Sequence, residues 1–120
     1  MVHTHHSIDY IEFNSPEMAA TGDFFAAAFG WTRTAYGPQY TGLHDGRPSG
    51  AEAGGIASGA AAPPLVIVYS ADLDETLAAV LAAGGTLTQE PYEFPGGRRF
   101  HFREPGGAEL AVWSEPDPVA

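Results

Sequence analysis

The 120-residue chain contains no cysteine. That absence excludes disulfides, thiolate metal sites and a cysteine nucleophile, and it leaves the redox compartment open. Lysine is missing as well: all five basic residues are arginines, Arg33, Arg47, Arg98, Arg99 and Arg103. Fifteen acids stand against them, for a net charge of −10. A field of that sign repels nucleic-acid phosphates and anionic membranes and draws in cationic small molecules. Neither nucleic acid nor membrane is therefore an expected partner. No run approaches the roughly 20 apolar residues that span a bilayer. The start of the chain pairs no basic region with an apolar stretch, as a secretory signal would. A cytoplasmic protein is the resulting expectation.

What is present is a globular composition, with 44% hydrophobic and 12% aromatic residues, enough for one structural domain. HSIDYIEF (6–13) alternates as a strand, with Ile11 and Phe13 on one side and Ile8, Tyr10 and Glu12 on the other. A helix follows, with Ser15 as N-cap, Pro16 at the first position, an apolar face of Met18, Phe25 and Phe29, and Gly30 as a left-handed stop. Short strands are expected over 31–36, 39–44 and 51–57, with turns at Gly37-Pro38 and Asp45-Gly46. SGAAAPP (58–64) reads as a linker.

The order then repeats. LVIVYS (65–70) is a β-branched strand. The next helix has Asp72 as N-cap, Glu75 completing a capping box, and Gly84-Gly85 as its stop. Strands over 85–94, 98–104 and 108–114 close the chain, separated by Pro95-Gly96-Gly97 and Pro105-Gly106-Gly107. Internal repetition predicts an α+β protein of two tandem βαβββ modules, residues 1–57 and 65–120. Each helix covers one sheet face and leaves the other to line a groove. Phe100, Phe102, Leu110 and Val112 belong to the core side of the second module. Arg99, His101, Arg103, Glu109, Ala111 and Trp113 then face the groove, and a one-residue slip would reverse all of them.

The stretches YIEFNSPEMAATGDFFAAAFGW (10–31), YSADLDETLAAVLAAGGT (69–86) and FPGGRRFHFREPGGAELAVWSE (94–115) resemble the vicinal oxygen chelate superfamily, the glyoxalase, bleomycin-resistance and extradiol-dioxygenase group. The resemblance spans nearly the whole chain. It rests on an aromatic pair before F-G-W, a G-G after the second helix, and a turn before the last strand with Glu104 where the family has Asp. It implies a curved, cup-like mixed sheet, a small-molecule site and a homodimer. Metal-dependent members hold their ion with ligands from the first and last strand of each module. Here those positions fall on Tyr10 or Ile8, on Gly55, Ile56 or Ala57, on Leu65, and on Ala111, and at least three of the four carry side chains unsuited to Zn²⁺, Ni²⁺ or Fe²⁺. No metal ligands and no cofactor are therefore assigned.

Several residues carry the remaining chemistry. Glu12, a carboxylate inside a strand, is a candidate general base or acceptor for a cation. His101 is the candidate that titrates near neutral pH. Tyr10, Tyr40, Tyr69, Arg99 and Trp113 are candidate ligand-binding residues, as an aromatic wall with one cation. His3, His5 and His6 read as a solvated terminus. Two functions compete: a metal-free protein that binds a small cationic or aromatic molecule, and a metal-dependent lyase, isomerase or dioxygenase with rearranged ligands such as Glu12, His44 or His101. The catalytic status stays open at this point.

Overall fold

A computed structural model describes residues 3–116. The described residues form β1 (Ile8–Ser15), α1 (Met18–Phe29), β2 (Thr32–Ala35), β3 (Tyr40–His44), β4 (Gly54–Ser58), β5 (Ala62–Tyr69), α2 (Leu73–Ala82), β6 (Thr86–Phe94), β7 (Gly97–Arg103) and β8 (Glu109–Ser114). The βαβββ order thus occurs twice, and the α+β class is the one observed. The described chain divides into two compact units: Tyr10–Leu65, and His3–Asp9 together with Val66–Pro116. They are called the first and second module below. The N-terminal arm therefore packs with the second module.

In each module a parallel pair sits beside antiparallel neighbours. In the first, β1 runs parallel to β4, which pairs antiparallel with β3, and β3 with β2. In the second, β5 runs parallel to β8, which pairs antiparallel with β7, and β7 with β6. The two chain turns between strand and helix are built alike. Ser15 Oγ accepts the N–H of Glu17 at 2.9 Å and bonds Thr21 Oγ1 at 2.8 Å. Ser70 Oγ accepts the N–H of Asp72 at 3.0 Å and bonds Thr76 Oγ1 at 2.7 Å. In both cases the hydroxyl partner lies six residues on.

This clasp corrects two expectations. Ser15 is not the N-cap of α1: its backbone continues the ladder opposite Ser58, and the capping position is Glu17, with no side-chain cap bond. Glu75 does not complete a capping box, because the N–H of Asp72 is already held by Ser70. Asp72 does cap α2, accepting the N–H of Glu75 at 3.1 Å. The linker is also shorter than 58–64: β4 includes Ser58 and β5 begins at Ala62. Pro63 and Pro64 fit the start of a strand, where a fixed extended φ is an asset and a ladder donor is not needed.

Helix ends follow the expected glycines. Gly30 has φ 73° and donates to Ala26 O. Past α2, Gly85 donates to Val80 O and Gly84, at φ 103°, to Leu81 O, a paired closure that satisfies two end carbonyls. The core of the second module is Leu73, Phe100 and Val112, with Val68, Leu77, Val80, Leu87 and Phe102 packed on it. In the first module Leu43 and Ile56 are buried, and Phe13 meets Phe25 at 5.1 Å. Phe29, expected on the apolar face of α1, is exposed. The buried residue of α1 is instead Gly22, over which the Arg33 side chain lies so closely that a Cβ would sit 2.9 Å from its Cδ.

Candidate functional site

The groove face of the first module has a glycine floor. Glu12, Gly55, Gly42 and Thr34 stand opposite one another across β1, β4, β3 and β2. An isolated glycine inside a strand marks a close approach, and two facing glycines leave a shallow bed. A Cβ on Gly55 would collide with the hydroxyls of Tyr40 and Tyr10, and one on Gly42 with the Glu52 carboxylate and the Tyr36 ring. These four side chains therefore lie flat across the bed.

Their hydrogen bonds form a chain. Tyr10 donates to Glu52 Oε1 at 3.2 Å, and its oxygen lies 2.8 Å from the Tyr40 hydroxyl. Tyr36 donates to the other Glu52 oxygen. The Tyr40 hydroxyl also lies 3.4 Å from Glu12 Oε2. Burial, then the bond with Tyr40, hold the Tyr10 phenol well above the usual tyrosine range, and the bond to Glu52 raises Tyr36. Tyr10 and Tyr36 are thus held as neutral donors. Glu12 is buried. His44 bonds Thr34 Oγ1 at 2.9 Å, with Glu52 3.9 Å away.

The groove face of the second module is built from large side chains. Tyr69, Trp113, Arg99 and Tyr92 stand opposite one another across β5, β8, β7 and β6. Beside this row run Ile67, Ala111, His101 and Gln89. Trp113 packs edge-on to Tyr69 at 5.2 Å and to Phe94 at 6.2 Å. The Arg99 guanidinium lies 5.5 Å from the Tyr92 ring centre and 5.6 Å from that of Phe94.

Arg99 Nε donates to the Tyr92 hydroxyl, and a guanidinium can only donate. The same hydroxyl lies 3.0 Å from His101 Nε2. The other ring nitrogen of His101, Nδ1, faces Glu109 Oε2 at 3.7 Å. Glu109 is held in turn by Thr88 Oγ1 at 3.0 Å.

The N-terminal arm lies on the same module, contrary to the expectation of a solvated terminus. His3 stacks on Tyr69 at 4.9 Å and meets Trp113 edge-on at 4.8 Å. Its Nδ1 lies 2.9 Å from Asp9 Oδ1, and Asp9 Oδ2 accepts the Trp113 indole N–H at 3.0 Å. His5 Nδ1 accepts the N–H of Ala71, and His6 Nε2 bonds Thr76 Oγ1. Backbone bonds between His6 and Tyr69 and between Tyr69 and Ser7 fasten the arm.

Of the residues singled out from sequence, Tyr10, Glu12 and Tyr40 meet in the first module, and Tyr69, Arg99, His101 and Trp113 share two adjacent rows of the second. The alternation expected for Tyr10, Glu12, Arg99, His101 and Trp113 is the one observed, since Phe13, Phe100, Phe102 and Val112 turn to the helix side. Sequence reading missed Tyr36 and Glu52, Tyr92, and the pair His3 and Asp9. Gly42 and Gly55 inside strands were the available signal for the first cluster. Nothing local marks Asp9, whose partner Trp113 is far away in sequence.

A metal site of the kind implied by the resemblance does not fit these residues. Tyr10 is engaged with Tyr40 and Glu52, Gly55 lacks a side chain, Leu65 has no donor, and buried Ala111 faces Ile67. Among the described residues no three His, Asp or Glu side chains group closely enough to hold a metal ion. Nor is any described helix long and apolar enough to cross a membrane.

Comparison with known proteins places the chain. The family pattern Glyoxalase/Bleomycin resistance protein/Dioxygenase superfamily matches residues 7–112. Two curated relatives, the anthracycline biosynthesis proteins DauV of Streptomyces sp. (strain C5) and DnrV of Streptomyces peucetius, are each 31% identical over 87% of this chain and 45% of their own length. The chain thus spans a little under half of those relatives. The Mn(II)-bound glyoxalase from Novosphingobium aromaticivorans superposes with a TM-score of 0.69 at 18% identity, over 98% of this chain and 44% of that one.

Proposed function

Because the chain belongs to the glyoxalase/bleomycin resistance protein/dioxygenase superfamily, we propose that it binds a small, flat, cationic molecule on its groove faces without the family metal. The observation that carries this reading is the cluster on the Gly42–Gly55 floor, where the hydroxyls of Tyr10, Tyr36 and Tyr40 meet the carboxylates of Glu12 and Glu52. Aromatic faces and shielded carboxylates attract an organic cation together, through ring quadrupole and charge. In the first module Tyr10 and Tyr40 are the proposed contact residues, with Glu12 proposed for any proton transfer, and in the second module Tyr69, Arg99 and Trp113 are the proposed contacts, with His101 in that role. The net charge of −10 favours the encounter.

The curated relatives carry anthracycline biosynthesis in their names. An anthracycline bearing an amino sugar joins a fused aromatic system to an amine, which is the chemistry this cluster suits. Doxorubicin is therefore the first probe, followed by its own fluorescence and by calorimetry, with its uncharged aglycone as control. Binding of the charged form at least tenfold tighter than the aglycone is expected, and Glu12→Gln reduces the preference. Absence of binding by either form at high micromolar concentration rejects the reading. A homodimer is proposed alongside, since two copies of this chain approach the length of one such relative. Sedimentation of the purified protein tests it, and a monomer at high micromolar concentration overturns it. Cytoplasmic location is likewise proposed, and fractionation of cells producing the native protein decides it.

A further inference from the structure

The aromatic corner of the second module is filled by the chain itself. His3 lies nearly parallel to the Tyr69 ring, with an interplanar angle of 22°, and nearly perpendicular to Trp113, at 86°. The same imidazole reaches Asp9 Oδ1. This is a three-sided box: a π floor, a π wall and a carboxylate.

Each side has an anchor besides His3. The Tyr69 hydroxyl donates to Glu115 Oε1 at 2.7 Å, which sets the ring plane, and Tyr69 itself is 5% exposed. The Trp113 indole is pinned to Asp9 Oδ2. The Asp9 side chain is 12% exposed. A carboxylate so far removed from water needs strong donors on both oxygens. Trp113 supplies one, and the other oxygen is served by His3.

We propose that Tyr69, Trp113 and Asp9 form a subsite for a planar cationic group carrying N–H donors, with His3 as a resident stand-in that an incoming ligand displaces. The inference deepens the reading of a cationic ligand and rests on it for biological meaning. Imidazole supplies what such a group would offer: a flat ring for Tyr69, an edge for Trp113 and a ring nitrogen for Asp9. An amidinium on a benzene ring offers the same with a permanent charge and a larger stacked area. The arm is fastened at His5, His6 and Ser7. His3 lies beyond those fastenings, so it can leave the box while the rest of the arm stays docked.

Benzamidine is the probe, titrated into the full chain with Trp emission and calorimetry as readouts. Competition by a tethered group lowers apparent affinity by the fraction of molecules whose site is open. His3→Ala should therefore bind benzamidine about tenfold more tightly than the native chain. His3→Gln, which keeps an N–H donor and loses the stacking ring, should fall between them. Asp9→Asn, whose amide oxygen can still accept from Trp113, should abolish the gain when combined with His3→Ala. Benzamide, of the same shape without charge, should bind at least tenfold more weakly than benzamidine.

Equal benzamidine affinity in native protein and both His3 variants overturns the proposal, as does affinity unaffected by Asp9→Asn. The outcome separates cleanly from that of the anthracycline titration. If doxorubicin fails to bind while benzamidine competes with His3, the functional reading falls and the subsite stands. If doxorubicin binds and benzamidine ignores His3, the subsite falls.

Discussion

The two modules share a backbone plan and differ on one face. Both have the Ser–Thr clasp, an apolar side turned to a helix, and a left-handed glycine after that helix. On the other face they carry different solutions. The first module puts Gly42 and Gly55 in the middle of its sheet, and tyrosines and a glutamate from the margins fold over them. The second puts Ala111 and His101 at the matching places and carries Trp113 and Arg99 in the row beside them. A repeat constrains the helix-facing side, because packing there is shared with the core. The groove side has no such partner within the module, so its side chains are free to diverge in size and charge.

The largest effect should come from erasing the glycine floor. Gly55→Val puts a branched side chain where the Tyr10 and Tyr40 hydroxyls lie, and should cost about 2 kcal/mol by overpacking and by breaking the phenol chain. Ala111→Gly, at the matching place in the second module, removes a single buried methyl and should cost about 1 kcal/mol. Urea unfolding of the two variants compares them directly, and equal losses would mean that the floor has no special role.

A smaller contrast lies at the helix starts. Asp72→Ala removes the side-chain cap of α2 and should cost about 1 kcal/mol. Glu17→Ala at the same place on α1 removes no such bond and should stay within about 0.5 kcal/mol of the native chain. Thermal unfolding of both variants checks this, and a larger loss at Glu17 would contradict the uncapped start.

The smallest expected effect is at the Glu104 turn. The Glu104 carboxylate accepts the N–H groups of Ala108 and Gly106, which hold its pKa below the ordinary carboxylate value. Its folded-state pKa is depressed, so its contribution is complete above the unfolded pKa and is lost as pH falls through the folded one. Glu104→Gln should lower the melting temperature slightly at neutral pH, and the difference should vanish in acid. Asp45, held low chiefly by its bond with Arg47, should show the same direction in the first module when replaced by asparagine. A difference that grows in acid would reverse the sign and reject the account.

Much of the fold was legible because it depends on local chemistry. Gly30 and Gly84 end helices whatever else surrounds them, Asp72 caps its own helix, and the spacing of Phe100 and Phe102 assigns a face. The errors arose where a local group was captured by a neighbouring strand or turn. Ser15 looked like a cap, but the parallel ladder with β4 drew its backbone into β1. The prolines at 63 and 64 looked like a linker and instead open β5.

The candidate site divides in the same way. Strand alternation by itself put Tyr10, Glu12, Arg99, His101 and Trp113 on the groove side, since successive side chains must point to opposite faces. Composition fixed the acidic charge and excluded cysteine chemistry. Only the tertiary structure laid the phenols over Gly42 and Gly55, because that depends on which strands become neighbours and in what register. It also decided the fate of the N-terminal histidines. Their sequence reads as polar and terminal, yet stacking on Tyr69 and the half-hidden charge of Asp9, both supplied by the folded chain, hold His3 against the second module.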